Sequence, residues 1–284
     1  MVTTLARRHQ DDLVDLLRAG RVMVLTGAGM STDSGIPDYR GDGRRLRRVP
    51  VTYQEFVRDP VARRRYWARS HAGWHRVARA RPCPAHHSVA EMEEAGLITG
   101  VVTQNVDGLH TAAGSRRVLE LHGSLSRTVC LGCGDRRSRL ELHHRLEAAN
   151  PHFERQKVEA APDGDAELPD HLVDGFTVVD CLECGGLLKP DVVFFGENVP
   201  RARVTSAYDW LEGSLALLVL GSSLTVMSGY RFVLAAHRDG KPVAIVNRGS
   251  TRGDGQASVR VDGNLSRVLG ELTTSLPRPF SRII

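Results

Sequence analysis

Apolar runs of about five residues recur along this chain, and each is followed at once by a polar, distinctive stretch. The first periodic segment differs. Between residues 5 and 19, Leu5, Leu13, Leu16 and Leu17 form an incomplete stripe of helical period closed by Gly20, which predicts a helix. A strand is expected at 22 to 26, and the further runs of strand length are Leu97 to Val102, Val118 to Leu121, Leu215 to Leu220 and Val243 to Val246. Most are continuous rather than alternating, as in strands covered on both faces, and they predict a parallel sheet in an α/β domain. The segments after them read TGAGMSTDSG, TQNVDGLH, HGS, GSSLTVMSG and NRGS. Ligands of open parallel sheets bind beyond the carboxyl ends of the strands, so these segments are expected to converge on one cleft suited to a nucleotide. Residues 44 to 95 lack strand signals and read as helices and loops broken at Pro50, Pro60 and Pro82.

A chain of 284 residues, 41% hydrophobic and 25% charged, has the composition of a globular protein with one large core, or a main domain carrying a smaller module. Its longest apolar stretch, LALLVL at 215 to 220, is far short of the roughly 20 residues that cross a bilayer. The first 20 residues carry acids among their apolar positions and have no apolar core of a secretory signal, so no membrane partner and a cytoplasmic location are expected. The net charge of +5 is unevenly spread, with thirteen arginines against three acids from Arg40 to Arg81 and eight acids against two basic residues from 151 to 180. A solvated arginine-rich helix accounts for the basic stretch, and nucleic acid is not expected as a partner.

Four of the five cysteines come in pairs, Cys130-Leu-Gly-Cys133 and Cys181-Leu-Glu-Cys184, each followed by a glycine, Gly134 or Gly185. One such pair alone could be a redox couple. Two of them, without a secretion signal, point to four thiolates around one structural Zn2+, with no coordination position left for a substrate. The 47 residues between Cys133 and Cys181 exceed the spacing of common zinc ribbons, and the surplus is read as an acidic insertion. Cys83 stands apart as a structural or incidental thiol.

The segment GAGMSTDSGIPDYR, residues 27 to 40, has two glycines of a dinucleotide fingerprint but Thr32 where the third belongs. In order along the chain, that segment, TQNVDGLH, LHG with His122, the two cysteine pairs, KPDVVFFGE and GSSLTVMSG resemble the sirtuin family of NAD-dependent protein deacylases over about residues 10 to 275. Tyr39, the RRYWARS segment and the long gap between cysteine pairs resemble its class II branch. The resemblance implies a Rossmann-like NAD-binding domain made of 1–43, 96–123 and 196–284. A smaller lobe would combine a helical insertion, 44–95, with a zinc-ribbon module, 124–195.

The resemblance also implies roles. Gly27, Ala28 and Gly29 would bring backbone N–H groups to a pyrophosphate, assisted by Ser31 and Thr32. Asp38, Tyr39 and Arg40 belong to a cofactor-binding loop. Gln104, Asn105, Val106 and Asp107 would surround the nicotinamide and its ribose, with Asn105 and Asp107 also catalytic. Gly221, Ser222, Ser223, Asn247, Arg248 and Gly249 would hold the adenosine ribose and phosphates, and Leu265 the adenine. His122 is the expected general base, an imidazole titrating near neutral pH that activates a ribose hydroxyl. The implied reaction moves the acyl group of an acyl-lysine protein or peptide to ADP-ribose and releases nicotinamide. Val193, Phe195, Gly196 and Glu197 would pair with the substrate peptide, although VVFF read without the resemblance is only a buried strand.

Tyr66 and Arg69 form a Y-x-x-R where the desuccinylase branch reads an acyl carboxylate, which would admit acidic or branched acyl groups. The alternative is that Tyr66 and Trp67 pack the small lobe while Arg69 faces water. A protein mono-ADP-ribosyltransferase using the same NAD site is the competing function. A zinc-ribbon nucleic-acid binder would leave His122 and TQNVDGLH without a purpose. A monomer is expected.

Overall fold

Unbroken apolar runs become strands with both faces covered. The computed structural model describes residues 11–38, 50–153, 168 and 170–276. Residues 11–18 form helix α1, within the expected helix whose start lies outside the described residues. Strand β1 (Val22–Thr26) leads into a short 3-10 helix (Ala28–Ser34). Three helices follow, α2 (Tyr53–Arg58), α3 (Pro60–Arg79) and α4 (Pro84–Glu94). Pro60 and Pro84 open α3 and α4 rather than break them, because the first turn lacks an intrahelical acceptor for the missing N–H, whereas Pro50 and Pro82 lie in the connections that precede α2 and α4. Thr52 and Glu55 close a reciprocal capping box on α2, and the Asp59 carboxylate accepts the Val61 N–H at the start of α3.

The chain continues through β2 (Ile98–Thr103), α5 (Leu109–Ala112), β3 (Val118–Glu120), β4 (Gly123–Cys130), β5 (Arg136–Ser138), α6 (Arg139–Ala149) and α7 (Asp170–Asp174). It ends with β6 (Leu188–Val192), α8 (Arg201–Glu212), β7 (Ala216–Leu220), α9 (Met227–Arg238), β8 (Val243–Val246), β9 (Val259–Val261) and α10 (Leu265–Ser275).

Six strands form one sheet in the order β3-β2-β1-β7-β8-β9, with every neighbouring pair parallel. Alternate residues of each central strand feed two different cores. Val22, Val24, Leu218, Leu220, Ala244 and Val246 face α1, α4 and α10, whereas Met23, Leu25, Leu217, Val219 and Ile245 face α8 and α9. This two-sided burial explains the continuous apolar pattern, since each fully buried Leu or Val contributes about 1.5–3 kcal/mol. The short edge strand β9, which carries Arg260 between its valines, has no apolar run of its own and was not expected.

A second sheet, β5-β4-β6, is antiparallel and shares a third core with α2, α3, α6 and α7 around Phe56, Trp67, Leu146 and Leu188. The segment expected as one helical insertion, 44–95, therefore divides. Its helices α2 and α3 pack with the small sheet, but Ala85, Val89 and Met92 of α4 belong to the core of the large one. Between β3 of one sheet and β4 of the other lie only Leu121 and His122.

Candidate active site

Because the large sheet is parallel, the residues after β1, β2, β3, β7 and β8 all emerge at one edge, as the sequence pattern predicts. The loops after β1 and β7 touch. The Gly27 N–H donates to the Leu220 carbonyl (3.1 Å) and the Gly29 N–H to the Gly221 carbonyl (2.9 Å). A Cβ on Gly27 would meet Ser222 Cβ at 2.8 Å, and one on Gly221, whose φ is +61°, would meet the Met30 nitrogen at 2.6 Å. These glycines thus bring two loops together, with the amides of Gly27 and Gly29 engaged in joining them. Leu265 is buried against Gly221 from α10.

Ser31 stands at the centre of a polar cluster. Its hydroxyl donates to Asp107 Oδ2 (2.7 Å) and accepts from Asn105 Nδ2 (3.1 Å). The other Asp107 oxygen accepts the Leu109 N–H (2.9 Å). Burial pushes the Asp107 carboxyl above its ordinary range, while those two hydrogen bonds pull it back. Asn105 is held from below, its N–H donating to the Thr103 hydroxyl (3.0 Å). The Gln104 side chain reaches Ser222 Oγ (2.8 Å), and the Val106 carbonyl accepts the Leu125 N–H (2.8 Å). Thr32 turns away, donating to the Gly29 carbonyl.

His122 bridges the two sheets. Its Nδ1 lies 2.9 Å from the Gln104 carbonyl, an acceptor only, so Nδ1 carries the proton and Nε2 holds the lone pair. Nε2 is 2.8 Å from the hydroxyl of Ser228, a residue the sequence motif contains but its pattern does not single out. Burial holds the imidazole below its ordinary range, Arg203 adds to this, and the Gln104 carbonyl opposes it. Burial and the Gln104 contact thus favour the neutral imidazole, with its lone pair at Nε2 facing the Ser228 hydroxyl. Gly123 follows with φ +86°, and a Cβ there would lie 2.0 Å from the Asp191 carbonyl oxygen, so only glycine lets β4 leave His122 at this angle. Asp191 in turn pairs with Arg127, Arg136 and Arg203.

On the far side of the edge, Asn247 Nδ2 donates to the carbonyls of Arg248 and Gly249, and the Gly249 N–H faces the Asp262 carboxylate. Ser223 shares a hydrogen bond with Thr225 (3.2 Å). Arg248 is exposed. Asp33, which the pattern missed, accepts from Ser266 and Asn264, ties the 3-10 helix to α10 and has a lowered pKa through those bonds. Asp38 is described, but Tyr39 and Arg40 lie outside the described residues.

The expected strand VVFF stops early. β6 ends at Val192, and the Val193 N–H donates to the His122 carbonyl (2.8 Å). Phe195 is 46% exposed and bridges Thr52. Gly196 has φ +77° against Gln54. The Glu197 carboxylate accepts from Lys189 Nζ (3.1 Å) and from the Phe194 N–H (2.9 Å), which shapes this loop from within. Tyr66 packs edge-on to Phe56 and beside Phe194, 5.1 Å between ring centres. Arg69 is 3% exposed, so it does not face water as the alternative reading expected.

The four cysteines meet despite their separation, because β4 and β6 pair with Cys130 opposite Leu188. All four sulfurs lie within 4.8 Å of one another, with Cys130 to Cys184 at 3.5 Å and Cys133 to Cys181 at 3.8 Å. Tetrahedral Zn2+ with Zn–S near 2.3 Å places sulfurs about 3.8 Å apart, so this donor set fits zinc. Matching turns, Gly134 N–H to Cys130 O and Gly185 N–H to Cys181 O, present each pair. The intervening acidic stretch, 154–167, lies outside the described residues.

A Rossmann-like sheet joined to a four-cysteine ribbon, with a histidine at the joint and an Asn-Asp-Ser cluster beside it, defines the class. The chain belongs to the Sir2 family, whose model matches residues 27–228. Among its relatives is NAD-dependent protein deacetylase 1 of Streptomyces coelicolor, 61% identical over 250 residues that make up 88% of this chain and 84% of that one. The protein of the same name from Mycobacterium avium is 51% identical over 278 residues, 96% of this chain and 98% of its own. Among solved structures, Sir2 with a p53 peptide and NAD+ superposes with a TM-score of 0.74 at 32% identity, covering 93% of this chain and 97% of that one. Sir2 bound to an acetylated peptide gives 0.73 at 29%, with the same coverage.

Proposed function

We propose that this chain is an NAD-dependent protein-lysine deacylase in which His122 is the general base. The observation that carries this reading is the neutral imidazole whose Nε2 is presented at the carboxyl edge of the sheet beside Ser31, Asn105 and Asp107. NAD supplies, when bound, a nicotinamide–ribose bond whose cleavage makes the ribose the acyl acceptor. His122 Nε2 takes the proton of the hydroxyl that receives the acyl group. Asn105 and Asp107, oriented through Ser31, position the cofactor amide and water. The loops at Gly27–Gly29, Gln104, Gly221–Ser223 and Asn247–Gly249 hold the rest of the dinucleotide, with Leu265 behind Gly221. Residues 193–197, held by Lys189 and Glu197, receive the acyl-lysine peptide. The four cysteines hold one structural Zn2+ that keeps the small sheet in register.

Tyr39, RRYWARS and the long cysteine gap support the class II branch. Among the described residues no helix is long and apolar enough to cross a membrane. We divide the domains by the three cores: α4 goes with the NAD-binding domain, and α2, α3 and the described residues of 124–195 go with the small lobe. ADP-ribosyl transfer to protein is the less favoured use of the site, since the relatives are named as deacetylases.

The test incubates the protein with NAD and acetyl-lysine peptide and follows nicotinamide and deacylated peptide by mass spectrometry. Absence of nicotinamide, or undiminished activity in His122→Ala, would overturn the proposal. ADP-ribose found on an acceptor protein without peptide deacylation would favour the second reading. A panel of acetyl-, succinyl-, glutaryl- and methylglutaryl-lysine peptides tests Tyr66 and Arg69. A preference for plain acetyl that survives Arg69→Ala removes them from acyl selection.

A further inference from the structure

His122 is gripped at both ring nitrogens, and the second grip comes from a helix more than a hundred residues further along the chain. Ser228 is the second residue of α9, whose N-cap, Val226, makes no side-chain cap. Its hydroxyl therefore satisfies no helix terminus. It lies 2.8 Å from His122 Nε2. The next residue, Gly229, is pressed so closely on Gln104 that a Cβ would meet the Gln104 amide oxygen at 2.6 Å. The same Gln104 supplies the carbonyl that fixes Nδ1. The first turn of α9 and the segment after β2 thus form two jaws around one imidazole.

We infer that Ser228 is a positioning residue for the base: its hydroxyl donates to the Nε2 lone pair, orients the ring and occupies, in the resting enzyme, the place of the substrate hydroxyl. This rests on the reading of His122 as the base. A single rotation about the Ser228 side-chain bond frees Nε2 without moving the ring, because Gln104 retains Nδ1. Until then the hydroxyl disfavours protonation of Nε2 by stabilising the neutral ring. Among the described residues, Arg203 of α8 acts on the imidazole and is itself 3.5 Å from Asp191 of β6. Arg231 of α9 is tied to the Met227 carbonyl, and Asp107 is held by Ser31 and the Leu109 amide.

The experiment is an NMR titration of His122 in the NAD-free protein, paired with the pH profile of kcat/KM for NAD and acetyl-peptide. Ser228→Ala, which keeps a good helix former in α9, removes one hydrogen bond to the neutral ring. It is expected to raise the His122 titration by about half to one pH unit and to move the acid limb of kcat/KM upward with it. Ser228→Thr keeps the hydroxyl and restores both. An unmoved titration in Ser228→Ala, or a slower enzyme whose acid limb stays in place, overturns the inference and leaves Ser228 a packing residue. A wild-type protein that releases no nicotinamide would remove the deacylase reading, while the titration alone would still decide whether Ser228 grips the ring.

Discussion

Two buried histidines make the fold sensitive to mild acid. His86 of α4 is 0% exposed and His110 of α5 is 2% exposed, with ring centres 4.9 Å apart. The Cys83 N–H donates to His86 Nδ1, and the Thr26 hydroxyl lies 3.0 Å from His110 Nε2. His86 Nε2 and His110 Nδ1 find no partner among the described residues. Burial pushes His86 down to about 4 and His110 to about 3, with His87 and His86 respectively adding to it. Both folded values lie below the unfolded value near 6.5. The unfolded chain therefore binds protons first, and stability is full above pH 6.5 and lost as pH falls toward 4. Between pH 6.5 and pH 5 the difference is about 1.5 pH units at 1.36 kcal/mol each, or about 2 kcal/mol per ring. Urea unfolding at pH 7.5, 6.5 and 5 should show His86→Gln losing about 2 kcal/mol less than wild type over that interval. Equal pH dependence of the two proteins would refute the reasoning. The consequence reaches the active site, because the Thr26 hydroxyl also donates to Thr103 (2.8 Å), whose own hydroxyl holds the Asn105 amide.

Other outcomes follow from the same geometry. Gly123→Ala forces a side chain into a left-handed backbone 2.0 Å from the Asp191 carbonyl oxygen; it should cost at least about 1–3 kcal/mol in thermal unfolding and depress kcat through His122. Ser31→Ala removes the hydrogen bond that helps keep Asp107 ionised, so KM for NAD should rise about tenfold, the equivalent of one lost hydrogen bond in steady-state kinetics. Metal analysis should find one zinc per chain, and Cys181→Ser should abolish it and lower the melting temperature, since the sulfurs lie within 4.8 Å across the β4–β6 pair.

Elements whose cause is local were readable without coordinates. VMVLT at 22 to 26 and VAIV at 243 to 246 are strands because two-sided burial demands unbroken apolar residues, and their carboxyl ends share an edge because parallel pairing makes them do so. The metal ligands were equally plain, since a two-residue spacing is a property of the chain and not of the fold. Contacts between distant segments were not. That α4 joins the large sheet while α3 joins the small one depends on which apolar face each helix finds; the sequence marks the break between them at Pro82 but not the core that each side enters. The glycines of 27 to 29 were legible as close-approach residues, but that the amides of Gly27 and Gly29 bond the loop after β7 is decided by Leu220 and Gly221, some two hundred positions away. The composition and periodicity of this chain determine its strands, its cysteine site and the edge where chemistry belongs, because those follow from burial and spacing within a few residues. Which hydroxyl meets His122, which amides are engaged and which histidines go dry were decided only when tertiary packing brought residues as far apart as 122 and 228 within hydrogen-bond distance.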